Sequence, residues 1–411
     1  MTDATASLSP TEINRALAQR LAVFALWCGA FMSGFVMSEP APYELYMAGL
    51  IAVWALIGLR FSRTIMPVFM VMMVFNVGAL ISMTQMDSWS GAPLYIAVSF
   101  FLAGTTLFFA AVIEEDYRRL DPIFNGWLAA AAIGAVLGIV GYFGVGGETF
   151  TRYGRAKGAF QDPNVFAPYL MLPALYCLYQ VLMRPIGRLA IMLPLLLLMT
   201  LGIFLSFSRA GWGMYAFCIM MLVGYLLLIN QSNKFRLRIL LLSIFAIFAV
   251  VGAILVALQI DSVATMLLDR ARLVQDYDGA RLGRFARHWI GYELASRHPF
   301  GIGILQFSGL YGEDQHNVYL KVLLDYSWLG FAGYVTLIIM TLAAGLKILF
   351  RDRPWRPFLV CTYIVFIAHA IIGNIIDTDH WRHWFLLLGI IWGCVGAEVR
   401  WQTTRRTAHS T

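Results

Sequence analysis

Residues 189–229 read LAIMLPLLLLMTLGIFLSFSRAGWGMYAFCIMMLVGYLLLI. Two apolar runs stand on either side of Ser206-Phe207-Ser208-Arg209, and each is long enough to cross a hydrocarbon core as a helix. Two such helices joined by so short a turn form a hairpin in a membrane. Arg209 is then left at the membrane interface or just inside it. A cation is costly at that depth unless it faces a cavity or a partner. The bland alternative is an arginine that snorkels to the headgroups.

Similar runs recur along the whole chain. The pattern predicts spans near 21–38, 43–59, 64–84, 93–113, 124–145, 165–183, 188–207, 210–230, 236–258, 317–349, 355–376 and 383–399. The run at 317–349 exceeds what a bilayer needs, so it is expected to tilt or to project. Of the 411 residues, 60% are hydrophobic and only 13% charged, with a mean hydropathy of +0.72. Soluble domains carry roughly a quarter charged residues, so this composition excludes them. The fold class expected is an all-α polytopic membrane protein of about twelve helices, residues 1–411 forming one transmembrane domain. Short alternating strands of the outer-membrane barrel type are absent. The five cysteines all fall inside apolar runs, which argues against a disulfide framework or a metal cluster. Met1 to Arg20 is polar and lacks a cleavable signal pattern, so the first apolar run is expected to remain as a helix.

Orientation follows from the basic residues in short connections. Arg15, Arg20, Arg60, Arg63, Arg118, Arg119, Arg184, Arg188, Lys234, Arg236 and Arg238 occupy the N-terminus and alternate loops. Lys347, Arg351, Arg353, Arg356, Arg400, Arg405 and Arg406 continue the series. Both termini are therefore expected in the cytoplasm. The net charge of +7 is spread through loops in this way, and no nucleic-acid partner is implied.

The remaining basic residues break the rule, and most of them are arginines in far-side connections. Arg152, Arg155 and Lys157 lie in a short loop, and six more arginines lie between residues 259 and 316. Arginine's planar fork suits phosphate and carboxylate, so this face is expected to hold an anion. The 259–316 segment is too long for a connector and reads as a large external loop between spans 9 and 10. Within it Arg281, Arg284 and His288 share a helical face, with Phe285, Trp289 and Ile290 elsewhere. That spacing predicts an amphipathic helix resting on the membrane. His298-Pro299-Phe300-Gly301-Ile302-Gly303 reads as a turn. His316 opens the tenth span on the anion-binding side, where an imidazole could serve as general base. Asp162-Pro163-Asn164 reads as a helix entry. Two Asp-x-Asp strings, 276–278 and 377–379, are short enough to arise by chance, so neither a metal nor another cofactor is expected.

Together, Ser206-Phe207-Ser208-Arg209-Ala210-Gly211-Trp212, Gly283-Arg284 through Trp289, His298 through Gly303, and His316-Asn317-Val318-Tyr319 resemble the O-antigen ligase and polysaccharide polymerase superfamily. Asp162-Pro163-Asn164-Val165-Phe166 is similar to the segment such proteins carry before their sixth helix. The resemblance implies a GT-C-like, metal-independent, inverting glycosyltransferase of the bacterial inner membrane with its active face in the periplasm. It implies a donor glycan carried on undecaprenyl pyrophosphate. The acceptor is lipid A-core for a ligase, or a second lipid-linked glycan for a polymerase. It further implies that Arg209 and Arg284 hold the pyrophosphate, with Arg281 as the substitute for the second, and that His316 activates the acceptor hydroxyl. Arg152, Arg155 and Lys157 are added as further phosphate contacts. A transporter of lipid-linked saccharide or of an organic anion is the alternative, and a structural membrane anchor is a third. Transporters place broken helices and charge near the midplane in two similar halves, whereas charge here gathers at one face.

Overall fold

The computed structural model describes residues 10–183, 186–271 and 283–410. It is almost wholly helical. In chain order the long helices are α1 (Pro10–Met32), α2 (Pro42–Ile57), α3 (Met66–Met83), α4 (Ala92–Glu115), α5 (Leu120–Tyr142), α6 (Pro163–Met183), α7 (Leu189–Leu205), α8 (Arg209–Ile229) and α9 (Asn233–Ala257). Then follow α10 (Asp261–Ala271), α11 (Arg284–Arg297), α12 (Gln306–Tyr311), α13 (Val318–Asp325), α14 (Ser327–Leu349), α15 (Arg356–Ile372) and α16 (Arg382–Ser410). Among the described residues eight helices are long and apolar enough to cross a membrane, with α2, α7 and α15 as shorter apolar helices. Helices dominate because a chain in lipid must satisfy its backbone hydrogen bonds within each segment. Proline sits in the first turn of α2, α3 and α4, where its missing N–H costs nothing.

The centre is the pair α4 and α16. Gly389, Gly393 and Gly396 bring α16 so close that an added Cβ would lie 2.8 Å from Phe109 Cβ, 2.6 Å from Ile113 Cβ and 2.6 Å from the Glu114 carboxyl carbon. Small residues at such spacing let helix backbones approach where lipid offers no hydrophobic drive for association. At the other extreme, only 6% of the apolar window of α9 is buried, and its side chains form a lipid-ready belt.

The tenth span departs from the sequence reading. Residues 317–349 are not one long tilted helix but two, α13 and α14, interrupted at Tyr326 and Ser327, the latter with φ 61°. The cause is tertiary. The Leu324 carbonyl accepts from Ile302 N and from Ser82 Oγ, both at 2.9 Å, and Trp328 N donates to Pro299 O at 3.0 Å. The His298–Gly303 turn thus docks into the break and takes over its backbone groups. Gly301, at φ 83°, has no room for a side chain, since a Cβ would meet Ser82 Oγ at 2.2 Å. The first helix also ends at Met32, earlier than the expected limit of residue 38.

Polar groups collect at the two ends of the bundle. One end holds Glu398 with Arg351 and Arg353, together with Glu114 bonded to Ser62. The other holds the 146–164 connection, the α7–α8 turn, the α11–α13 region and the α15–α16 loop.

Candidate active site

The α7–α8 turn is built to present Arg209. Ser206 Oγ donates to Ile203 O, Phe207 takes a positive φ of 46°, and Ser208 Oγ accepts from Gly211 N as the cap of α8. Arg209 is therefore the first residue of α8, half-buried, at a helix N-terminus whose amides favour an anion. Beside it lies a two-residue hairpin, β1 (Thr151–Arg152) and β2 (Arg155–Ala156), with Tyr153 and Gly154 both at positive φ as such turns require. Arg155 is buried, its Nε donating to Ser206 O and its Nη2 to Asn164 Oδ1, both at 2.8 Å. It ties hairpin, Arg209 turn and α6 entry together. Burial, with Arg270 and Arg209 nearby, lowers its pKa to about 10, so it stays charged at neutral pH. Arg152 is exposed and bonds Gln161 O and Asp162, and Lys157 is half-buried.

His316 is set by a second group of elements. Its φ of 54° turns the chain so that Asn317 Oδ1 caps α13, accepting from Tyr319 N and Leu320 N. Val318 N then donates to Gly373 O, and Tyr319 Oη to Ala370 O, fastening the start of α13 to the end of α15. The imidazole is half-buried, with Nδ1 3.8 Å from Asp377 Oδ2 and Nε2 3.9 Å from Glu313 Oε2. Burial and then the charge of Arg284 push its pKa down, outweighing Glu313 and Asp314, so the ring is neutral and able to accept a proton near pH 7. Burial raises Asp377 to about 7 against the pull of Lys321, with Asp379 and Asp314 adding to the rise.

Helix α11 packs its basic face inward. Arg287 is buried and pairs with Glu313, and Arg284 and His288 are half-buried beside His316. Phe285, Trp289 and Tyr292 face outward, each more than half exposed. Arg281 and the string 276–278 lie outside the described residues. The structure thus gathers Arg152, Arg155, Arg209 and Arg270 in one place, and Arg284, Arg287, His288 and His316 in another on the same end of the bundle.

Sequence reasoning missed the acidic side of this site. In the sequence Asp377 reads only as half of an Asp-x-Asp string short enough to arise by chance. Its neighbour Asp379 serves other partners, accepting from Tyr95 Oη at 2.5 Å and from His380 Nδ1 at 3.2 Å. Burial would raise Asp379, but Lys321 and these hydrogen bonds hold it below the usual carboxylate range. Lys321 Nζ lies 2.9 Å from Asp314 and 3.7 Å from Asp325. The legible signal was Lys321 and Asp325, an ionisable pair four residues apart in an apolar stretch.

Fold and site define a polytopic helical membrane protein with a cationic, histidine-bearing end. Within that class, residues 194–335 match the family model described as O-antigen ligase, so the resemblance read from the motifs holds over this segment. The match includes Arg209, Arg284 and His316, and leaves out Arg152, Arg155, Lys157 and Asp377. It points to a glycan-joining enzyme of surface-polysaccharide synthesis. No curated protein matches the chain.

Proposed function

We propose that the chain is a membrane glycosyltransferase that moves a glycan from undecaprenyl pyrophosphate to an acceptor hydroxyl on the periplasmic face of the inner membrane. Its helices make twelve spans with both termini in the cytoplasm, and residues 259–316 form the large periplasmic loop. The observation that carries the reading is the placement of His316, which lies within the segment that matches an O-antigen ligase, beside Arg284 and 3.8 Å from Asp377.

The acceptor oxygen attacks the anomeric carbon from the face opposite the leaving group and inverts it. As the new C–O bond forms, the bond from that carbon to the pyrophosphate oxygen breaks. His316 takes the acceptor's proton, and Asp377 on the Nδ1 side favours the tautomer whose Nε2 is free to accept it. Arg209 and Arg284, with Arg281 as the substitute, neutralise the departing pyrophosphate in a site shielded from water. Fixed guanidinium groups do this without a metal. Arg152 and Lys157 extend the cationic surface toward the donor, while Arg155 braces the turn that carries Arg209. The acceptor is lipid A-core or a second lipid-linked glycan.

The test is purified full-length protein supplied with an undecaprenyl-pyrophosphate glycan, offered each acceptor in turn, with and without EDTA. Transfer to one acceptor, unaffected by the chelator, is expected. Donor movement across a sealed vesicle membrane without a new glycosidic bond would instead identify a transporter.

A further inference from the structure

At the end of the bundle opposite the candidate site, α1 and α2 part company. They are fastened where Tyr46 Oη donates to Ala25 O at 2.8 Å and where Gly29 lets Met47 pack closely. From there they diverge, leaving a cleft of about 1610 Å³ floored by the last turn of α4. That exceeds the roughly 300–1,000 Å³ of sites for drug-sized ligands. Its walls are apolar, with Leu21, Leu50, Val53 and Trp54 among them. Its outer rim carries Arg15, Arg60 and Arg118, all exposed. Glu114, Glu115 and Asp116 also line the cleft, and each is paired within it: Glu115 with Arg119, Glu114 accepting from Ser62 Oγ, and Asp116 capping a turn by accepting from Arg118 N, which leaves the guanidinium groups of Arg15, Arg60 and Arg118 outside these pairings. The cleft is thus greasy within and cationic at its mouth.

We propose that this cleft binds an anionic glycerophospholipid, its phosphate among Arg15, Arg60 and Arg118 and its acyl chains between α1 and α2. Two features select this occupant. The polarity gradient runs along the helix axes, as it does along a lipid in a bilayer, and basic pockets between spanning helices at a membrane surface favour anionic headgroups. Gly49 lines the cleft with open space beyond it, since a Cβ there would meet nothing within 4 Å. The backbone of α2 is therefore bared to the chains rather than to a protein neighbour. None of this depends on the chemistry assigned to the other end of the molecule.

The test is native mass spectrometry of delipidated, full-length protein titrated with phosphatidylglycerol or phosphatidylcholine of identical acyl chains. Phosphatidylglycerol should bind at least about tenfold more tightly, and inorganic phosphate should not displace it. Arg15→Gln/Arg60→Gln/Arg118→Gln should weaken that binding on the order of 100-fold, about fivefold for each charge lost near a headgroup. Gly49→Phe fills the seat with the rim intact, so it should lower affinity by itself and carries the test if the triple variant does not fold. Lys234→Gln/Arg236→Gln removes exposed charge outside the cleft and should leave binding unchanged. Equal affinity for the two lipids would overturn the proposal. So would a loss in the Lys234/Arg236 control as large as in the triple variant, wild-type binding by Gly49→Phe, or full displacement by phosphate.

Discussion

His316 Nδ1 faces Asp377 Oδ2 at 3.8 Å, linking the start of α13 to the loop that precedes α16. The pair makes the site sensitive to pH in a defined direction. His316 is shifted downward and Asp377 upward to about 7. As pH rises, the imidazole first becomes neutral below its ordinary value, and the carboxyl ionises later, near 7. Both changes favour proton removal from the acceptor, so transfer should climb through an acidic limb and again near pH 7. Asp377→Asn should erase the second rise and cost on the order of tenfold above it, as for other groups that orient a functional imidazole. Below the Asp377 transition the variant should resemble the wild type. His316→Ala should cost about 10²–10⁴-fold across the range with protein level intact. Initial rates from pH 5 to 9 decide it, and a wild-type profile for Asp377→Asn removes the carboxylate from the mechanism.

Arg155 is expected to matter through the fold. Its guanidinium satisfies the Ser206 carbonyl and Asn164. Arg155→Met keeps much of the bulk but leaves that carbonyl unpaired, at about 1–3 kcal/mol. The measurable result is a lower Tm in detergent together with weaker donor binding, because the turn carrying Arg209 loses its brace. A variant with normal Tm and a raised KM alone would mean that Arg155 touches the donor directly.

Gly301→Ala should be markedly worse than Gly309→Ala. The first combines a φ of 83° with a Cβ placed 2.2 Å from Ser82 Oγ and 2.5 Å from Leu324 O. The second, in α12, meets nothing within 4 Å. Backbone strain of this kind costs about 1–3 kcal/mol, and the clash adds to it. Thermal unfolding of the two variants side by side gives the comparison, and equal Tm values would mean that the turn does not hold the α13–α14 break.

The helices were legible because apolar length is a local property: a run of about twenty residues in lipid has few alternatives to a helix. The break at Tyr326 is not legible, since the dip in hydropathy at Asp325-Tyr326-Ser327-Trp328 is too short to end a helix by itself. What interrupts the helix is hydrogen bonding from Ile302 and Ser82, supplied by chain distant in sequence. The same contrast holds at the site. In the sequence Arg209 and Arg284 stand out as arginines gathered in connections expected on the far side, and His316 as an imidazole at a helix start in their company. Asp377 gains meaning only when the fold sets it beside His316. Arg155 reads in the sequence as one more cation in a basic triplet, and only the fold sets its Nε against the Ser206 carbonyl and its Nη2 against Asn164.

The two arginine positions provide the sharpest test of the transfer mechanism. Arg209 starts α8 and Arg284 starts α11, so both guanidinium groups extend from helix N-termini at one end of the bundle. Arg209→Lys and Arg284→Lys keep the charge but lose the planar fork that grips two phosphate oxygens at once. Each should lower kcat/KM by about 100-fold, the scale for removing one donor aimed at developing negative charge. If both forks clasp the same diphosphate, the double variant should lose far less than the product of the single losses, because the second fork acts only on a leaving group that the first has placed. Multiplicative losses would mean that the arginines act independently, and a lysine variant with wild-type kcat/KM would show that its position does not bind pyrophosphate.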